Sequence, residues 1–198
     1  MSRDYKTNDL FSVGSNYHLN ACVGTNGGPY DFRDYAHGYF LAGKRLLESL
    51  RQDYSYVDTL VYPLTFLLRH AIELSLKGLA RDLSTLHKTE GQIKLTHRLA
   101  DNWAIVRDML QLDQDVFDED RKLIPFLDKV LKDYLEFDPS GEVFRFPEDR
   151  NGALFLQDAS IINVEVFGSI LEEVAEIIEY WFYQVEDLRR QSEMKNEY

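Results

Sequence analysis

Apolar residues return every three or four positions along most of the chain, and that period predicts helices. After Pro29 they fall at Phe32, Ala36, Tyr39, Phe40, Gly43, Leu46, Leu47 and Leu50, which predicts a first helix over about 31–54 capped by Asp31. Leu60, Leu64, Leu67, Leu68, Ala71, Ser75 and Leu79 predict a second helix from Thr59 to about Leu86. Its apolar face is wide and the segment is the most apolar in the chain, which places it at the centre of a bundle. A third helix opens at Thr96 or His97 and runs through Leu99, Trp103, Val106 and Leu110. A fourth opens at Asp113 or Asp115 and runs through Leu123, Phe126, Leu127, Val130, Leu131 and Tyr134.

Pro139, Ser140 and Gly141 then stop the helical pattern. The alternation Val143-Phe144-Arg145-Phe146, the turn Asn151-Gly152 and the apolar run Ala153 to Leu156 predict a β-hairpin over about 143–156. Asn163 caps a long last helix through Leu171, Val174, Ile178, Trp181, Val185 and Leu188, with Ile162 and Phe167 placed to staple it. Residues 1–28 are rich in Asn, Gly and Ser and show no period, which reads as an irregular arm. The expected fold is therefore all-α: one domain over 29–198, a bundle of about five helices with one small hairpin before the last.

Composition agrees with a globular domain: 198 residues, 44% hydrophobic and 28% charged. The first ten residues hold no apolar signal core and no stretch is apolar enough to span a bilayer, so no membrane partner is expected. Cys22 is the single cysteine, which rules out an intramolecular disulfide or zinc ribbon and suits a cytoplasmic location.

The net charge of −12 argues against a broad footprint for duplex DNA or anionic lipid. That charge is uneven. Residues 62–100 carry 6 basic and 3 acidic side chains, whereas residues 101–198 carry 10 and 24. The basic middle, which also holds His70, His87 and His97, is where a small anion site would lie.

Two constellations there carry chemistry. Arg69, His70, Glu73 and Lys77 fall within one sector about 100° wide on the second helix. One reading is a solvated face with i,i+4 ion pairs. The other has Arg69 and Lys77 binding a phosphate, Glu73 orienting them, and His70 or His97 moving a proton. The second constellation is Arg81 and His87, separated by five residues, a pair that suits metal-independent RNA cleavage. It also reads as a helix C-terminus whose cations complement the macrodipole.

Arg145 lies either on the solvent face of the hairpin or folded back onto the polar stripe. Tyr35, Tyr39 and Phe40 either pack in the core or stack a base. No phosphate loop, nucleophile elbow or paired carboxylate–histidine metal motif is present, so neither a metal nor another cofactor is expected.

Three segments together resemble a known group. They are Arg69-His70-Ala71-Ile72-Glu73-Leu74-Ser75-Leu76-Lys77, then Thr96-His97-Arg98-Leu99 with Trp103, then Phe144-Arg145-Phe146-Pro147 with Asp149 and Gly152. The set resembles bacterial HEPN-like helical proteins over about residues 35–185. That resemblance implies a compact all-α bundle that commonly forms a homodimer. It also implies RNA binding or metal-independent endoribonuclease activity, in a toxin–antitoxin, phage-defence or RNA-processing setting, with an antitoxin as one partner.

The family's Arg, polar residue and His transfer onto Arg81, Asp82 and His87. The family-like helix at Arg69 has no His at positions 74 to 76, so His97 would have to supply the imidazole there. The rival reading is a non-catalytic module that docks a partner protein through its acidic C-terminal half.

Overall fold

A computed structural model describes residues 8–159 and 161–196 of the chain. Its α-helices are α1 (Phe32–Gln52), α2 (Val57–Leu86), α3 (Leu99–Leu112), α4 (Gln114–Phe117), α5 (Leu123–Phe137) and α6 (Val164–Asn196). The chain divides after Tyr30 into two units. The first holds one 3-10 turn, Tyr17–Leu19, and the Asn20 side chain clamps Gly14 by accepting from its N–H at 2.8 Å and donating to its carbonyl at 3.1 Å. Residues 1–7 of the expected arm lie outside the described residues.

In the second unit, the α1 start is fixed by chemistry that the sequence displays. The Asp31 carboxylate accepts from the N–H groups of Arg33 and Asp34, and the Asp34 carboxylate accepts from the Asp31 N–H, a reciprocal cap. α2 is the centre of the bundle. Every residue from Ala71 to Ala80 is buried, so the helix is enclosed on all sides over nearly three turns.

Trp181 of α6 is fully buried, lies 6.0 Å from Trp103 of α3 in a stacked arrangement, and donates its indole N–H to the Phe117 carbonyl at 2.8 Å. α1 and α6 come close at Gly168, where a Cβ would stand 2.3 Å from the Leu47 side chain.

Three expectations differ from this architecture. The fourth helix is split into α4 and α5 by Asp118. Its buried carboxylate accepts from Lys122, Leu123 and Ile124 N–H at 2.7, 2.8 and 3.3 Å, and so satisfies donors that a new helix start leaves open. α3 begins at Leu99, leaving Thr96 and His97 in the loop before it.

The hairpin over 143–156 does not form. Among the described residues there is no strand, and Glu148 and Leu154 make one isolated bridge. The Arg145 and Phe146 N–H groups both turn back to the Glu142 carbonyl, the Val143 N–H goes to Asp138, and Pro147 has no N–H, so these four positions of Val143 to Pro147 offer no donor to a ladder. No described helix is long and apolar enough to cross a membrane.

The tight approach at Gly168 yields a stability prediction. Gly168→Ala should lose up to about 2 kcal/mol, because overpacking against buried Leu47 costs about 1–3 kcal/mol and the helix propensity gained returns about 1. The urea midpoint should fall at unchanged slope, and Leu47→Val should cost less in the alanine background than in the wild type.

Candidate functional site

The enclosed stretch of α2 carries ionised side chains, and their burial shapes everything around them. Glu73 is one turn from Arg69 and one turn from Lys77, so helical spacing alone brings the three together. Arg69 Nη1 donates to Glu73 Oε2 at 3.1 Å and Lys77 Nζ donates to Glu73 Oε1 at 2.8 Å. All three are buried. The i,i+4 pairs expected for a solvated face are present, but the face is covered.

Two loops do the covering. The first follows α5. Its Asp138 carboxylate, itself buried, accepts from the N–H groups of Gly141 and Val143 through Oδ1 and places Oδ2 3.7 Å from Arg69 Nε. Gly141 has φ +81°, and a Cβ there would stand 2.6–2.8 Å from the guanidinium atoms of Arg69. Both the backbone conformation and the space demand glycine. Arg69 is thus sandwiched between two carboxylates, while its Nε and Nη2 have no hydrogen-bond partner.

The second loop precedes α3. The Asn102 side chain, fully buried, accepts from Thr96 N–H and donates to Thr96 C=O, both at 3.0 Å. That two-bond clamp fixes Thr96 and sets down the next residue, His97, with Nδ1 3.2 Å from Glu73 Oε1. The His97 side chain is 96% exposed, whereas Glu73 beneath it is 6% exposed. A solvent-facing imidazole is therefore hydrogen-bonded to a buried carboxylate that also holds an ammonium.

Burial by itself pushes the Glu73 carboxyl up. The Lys77 ammonium, the His97 hydrogen bond and the Arg69 charge outweigh it and hold the group below the ordinary glutamate range.

His70 lies on the same side of α2. Its ring meets Tyr39 edge-on at 4.6 Å and stacks on Phe66 at 5.8 Å. Burial is the largest influence on the imidazole and lowers its pKa, with Lys77, Arg69 and Arg145 adding to the effect and Glu73 opposing it. The Arg145 guanidinium stands 5.4 Å from the centre of the Phe66 ring, so this loop residue folds back toward α2. Arg69, His70, Glu73, Lys77, His97 and Arg145 are thereby gathered in one region.

Arg81 and His87 are not part of it. Six residues along a helix amount to about 240° around the axis, so the two side chains leave α2 in different directions. Arg81 lies over the Phe32 ring at 4.4 Å, and His87, the C-cap of α2, places Nε2 3.5 Å from Asp113 Oδ2. Between them, burial raises the Asp82 pKa, with Asp31 and Glu186 adding to it against Arg189 and Arg33.

Asn102, Asp138 and Gly141 were not among the residues expected to matter. Asn102 had a signal, a polar residue on the apolar face formed by Leu99, Trp103 and Val106. Among the described residues no three His, Cys, Asp or Glu side chains converge in a way that would hold a metal ion. Comparison with family models, with curated proteins and with solved structures gives no match to the chain.

Glu73 is the hinge of this network. Glu73→Leu should cost about 3–5 kcal/mol in chemical denaturation, because Arg69 and Lys77 are left buried without their shared partner. Its depressed pKa gives the sign of the pH effect. The stability it contributes is fully present above the unfolded value of about 4.3 and is lost as pH falls through the lower folded value. Glu73→Gln should therefore narrow its deficit relative to wild type as pH falls through that window.

Proposed function

We propose that the chain is a HEPN-like protein that acts on RNA as a metal-independent endoribonuclease, with the reaction centred on His97. The observation that carries the reading is the exposed His97 imidazole bound through Nδ1 to the buried Glu73 carboxylate. Such a carboxylate selects the tautomer, orients the ring and stabilises the imidazolium, as an acid–base catalyst requires.

His97 Nε2 takes the proton of a ribose 2′-OH, and the oxygen attacks the adjacent phosphorus. The bond to the 5′-oxygen breaks, that oxygen takes a proton from water, His97 returns its own to solvent, and a 2′,3′-cyclic phosphate and a 5′-OH end remain. Lys77, which shares the same Glu73 oxygen with His97, is the cation of the network assigned to the developing phosphorane charge. The local excess of basic residues over 62–100 favours a polyanion here. A cytoplasmic homodimer paired with an antitoxin or serving in phage defence is the setting that the HEPN resemblance supports.

A second reading, a non-catalytic module docking a partner protein, is favoured by a groove of about 850 Å³ between α1 and α6. Leu47, Leu68, Leu171 and Phe182 line it, and Glu172, Glu176 and Glu179 line its α6 side.

The test is cleavage of single-stranded RNA in EDTA by wild type, His97→Gln and Arg81→Ala/His87→Ala. His97→Gln should cut about 10²–10⁴-fold more slowly with an unchanged melting temperature, and the double variant should retain activity. Activity lost in the double variant at matched folding would move the site to Arg81 and His87. RNA neither cut nor bound at any salt concentration would favour the docking module.

A further inference from the structure

A run of rings beside this centre has no role in the proton transfer. Tyr39 of α1 meets His70 edge-on, His70 stacks on Phe66 with the planes 10° apart, and the Arg145 guanidinium lies 5.4 Å from the Phe66 centroid and 5.2 Å from that of Phe146. Phe146 remains 49% exposed and Tyr62, one turn before Phe66 on α2, 45%. The solvent edge of the ladder is therefore aromatic and accessible.

Arg145 is also a cation without a carboxylate. Among the described residues no acidic side chain pairs with it, although three lie within four positions of it in the chain. Glu142 pairs with Arg150 at 3.6 Å, Asp149 Oδ1 accepts from Asn151 and Ala153 N–H, and Glu148 has its backbone in the bridge to Leu154. In a chain of net charge −12, an exposed guanidinium held over two rings and left unpaired is a standing invitation to an anion that also offers a flat face.

We propose that the Phe66–Arg145–Phe146 ladder is a nucleotide-binding subsite for single-stranded RNA. The base stacks on Phe146 and the adjoining phosphate meets Arg145. The inference rests on the reading that the substrate is RNA and adds how the strand is held next to His97. Single-stranded nucleic acid suits this surface because every base presents a π face and each is followed by a phosphate. An acidic peptide suits it less, since it brings several charges to one free cation and nothing planar to the rings.

The experiment uses the full chain and fluorescent eight-nucleotide oligoadenylate bearing 2′-O-methyl groups, which block attack and so separate binding from cleavage. An abasic oligomer of equal charge is run alongside. Wild type should bind the base-bearing strand about tenfold or more tightly than the abasic one. Phe146→Leu should abolish that difference, Arg145→Ala should weaken both and lower the salt slope by about one, and His87→Ala, away from the site, should bind as wild type does.

Equal binding of the two oligomers by wild type, or no effect of Phe146→Leu in a variant of unchanged melting temperature, overturns the subsite whether or not RNA is cut. An acidic peptide that binds while neither oligomer does overturns it in favour of a peptide site. Base-dependent binding with no cleavage of unmodified RNA upholds the subsite and removes the nuclease reading instead.

Discussion

The charges on the enclosed stretch of α2 are the constraint on which the rest depends. Glu73 and Lys77 sit where the helix is covered on every side and buried Arg69 stands at the edge of that stretch, and an ionised group in such a place is tolerable only if its partners are fixed. Glu73 serves two cations one turn away in either direction, and Asp138 supplies the second anion from outside the helix. Two cations and two anions close the account locally. The loops that bring Asp138 and His97 are held by backbone hydrogen bonds to the Asp138 carboxylate and to the Asn102 amide of α3.

The same arrangement makes chemistry available at the edge of a structural network. A carboxylate that stabilises the interior also faces His97 at the surface, and the imidazole is oriented by a group that two buried cations hold. The buried part supplies rigidity and the exposed part supplies access. His70, whose pKa is lowered chiefly by burial, belongs to the interior side of this division and joins the aromatic ladder as a neutral ring at neutral pH.

Much of this was legible along the chain. Helical spacing placed Arg69, Glu73 and Lys77 on one stripe, the wide apolar face put α2 at the centre, and Asp31 marked where α1 starts. The errors share one cause. Alternation at Val143 to Phe146 looked like a strand, yet the Arg145 and Phe146 N–H groups go to the Glu142 carbonyl and that of Val143 to Asp138. Asp118 looked like one more residue within a single helix from Asp113, yet its side chain competes with the helix and restarts it. In each case an aspartate side chain captures backbone donors, Val143 by Asp138 and Lys122 to Ile124 by Asp118, and a periodicity does not record such bonds.

By itself, the sequence determined the all-α class, the central helix and the i,i+4 contacts within it, because these follow from spacings of three and four residues on a fixed geometry. The tertiary structure alone decided that the polar stripe is buried, that His97 rests on Glu73, that Arg145 rests on Phe66, and that Arg81 and His87 face different neighbours. Those facts join residues 24 to 79 positions apart through loops whose course is set by Asn102, Asp138 and Gly141. No local period encodes where a loop will be tied down.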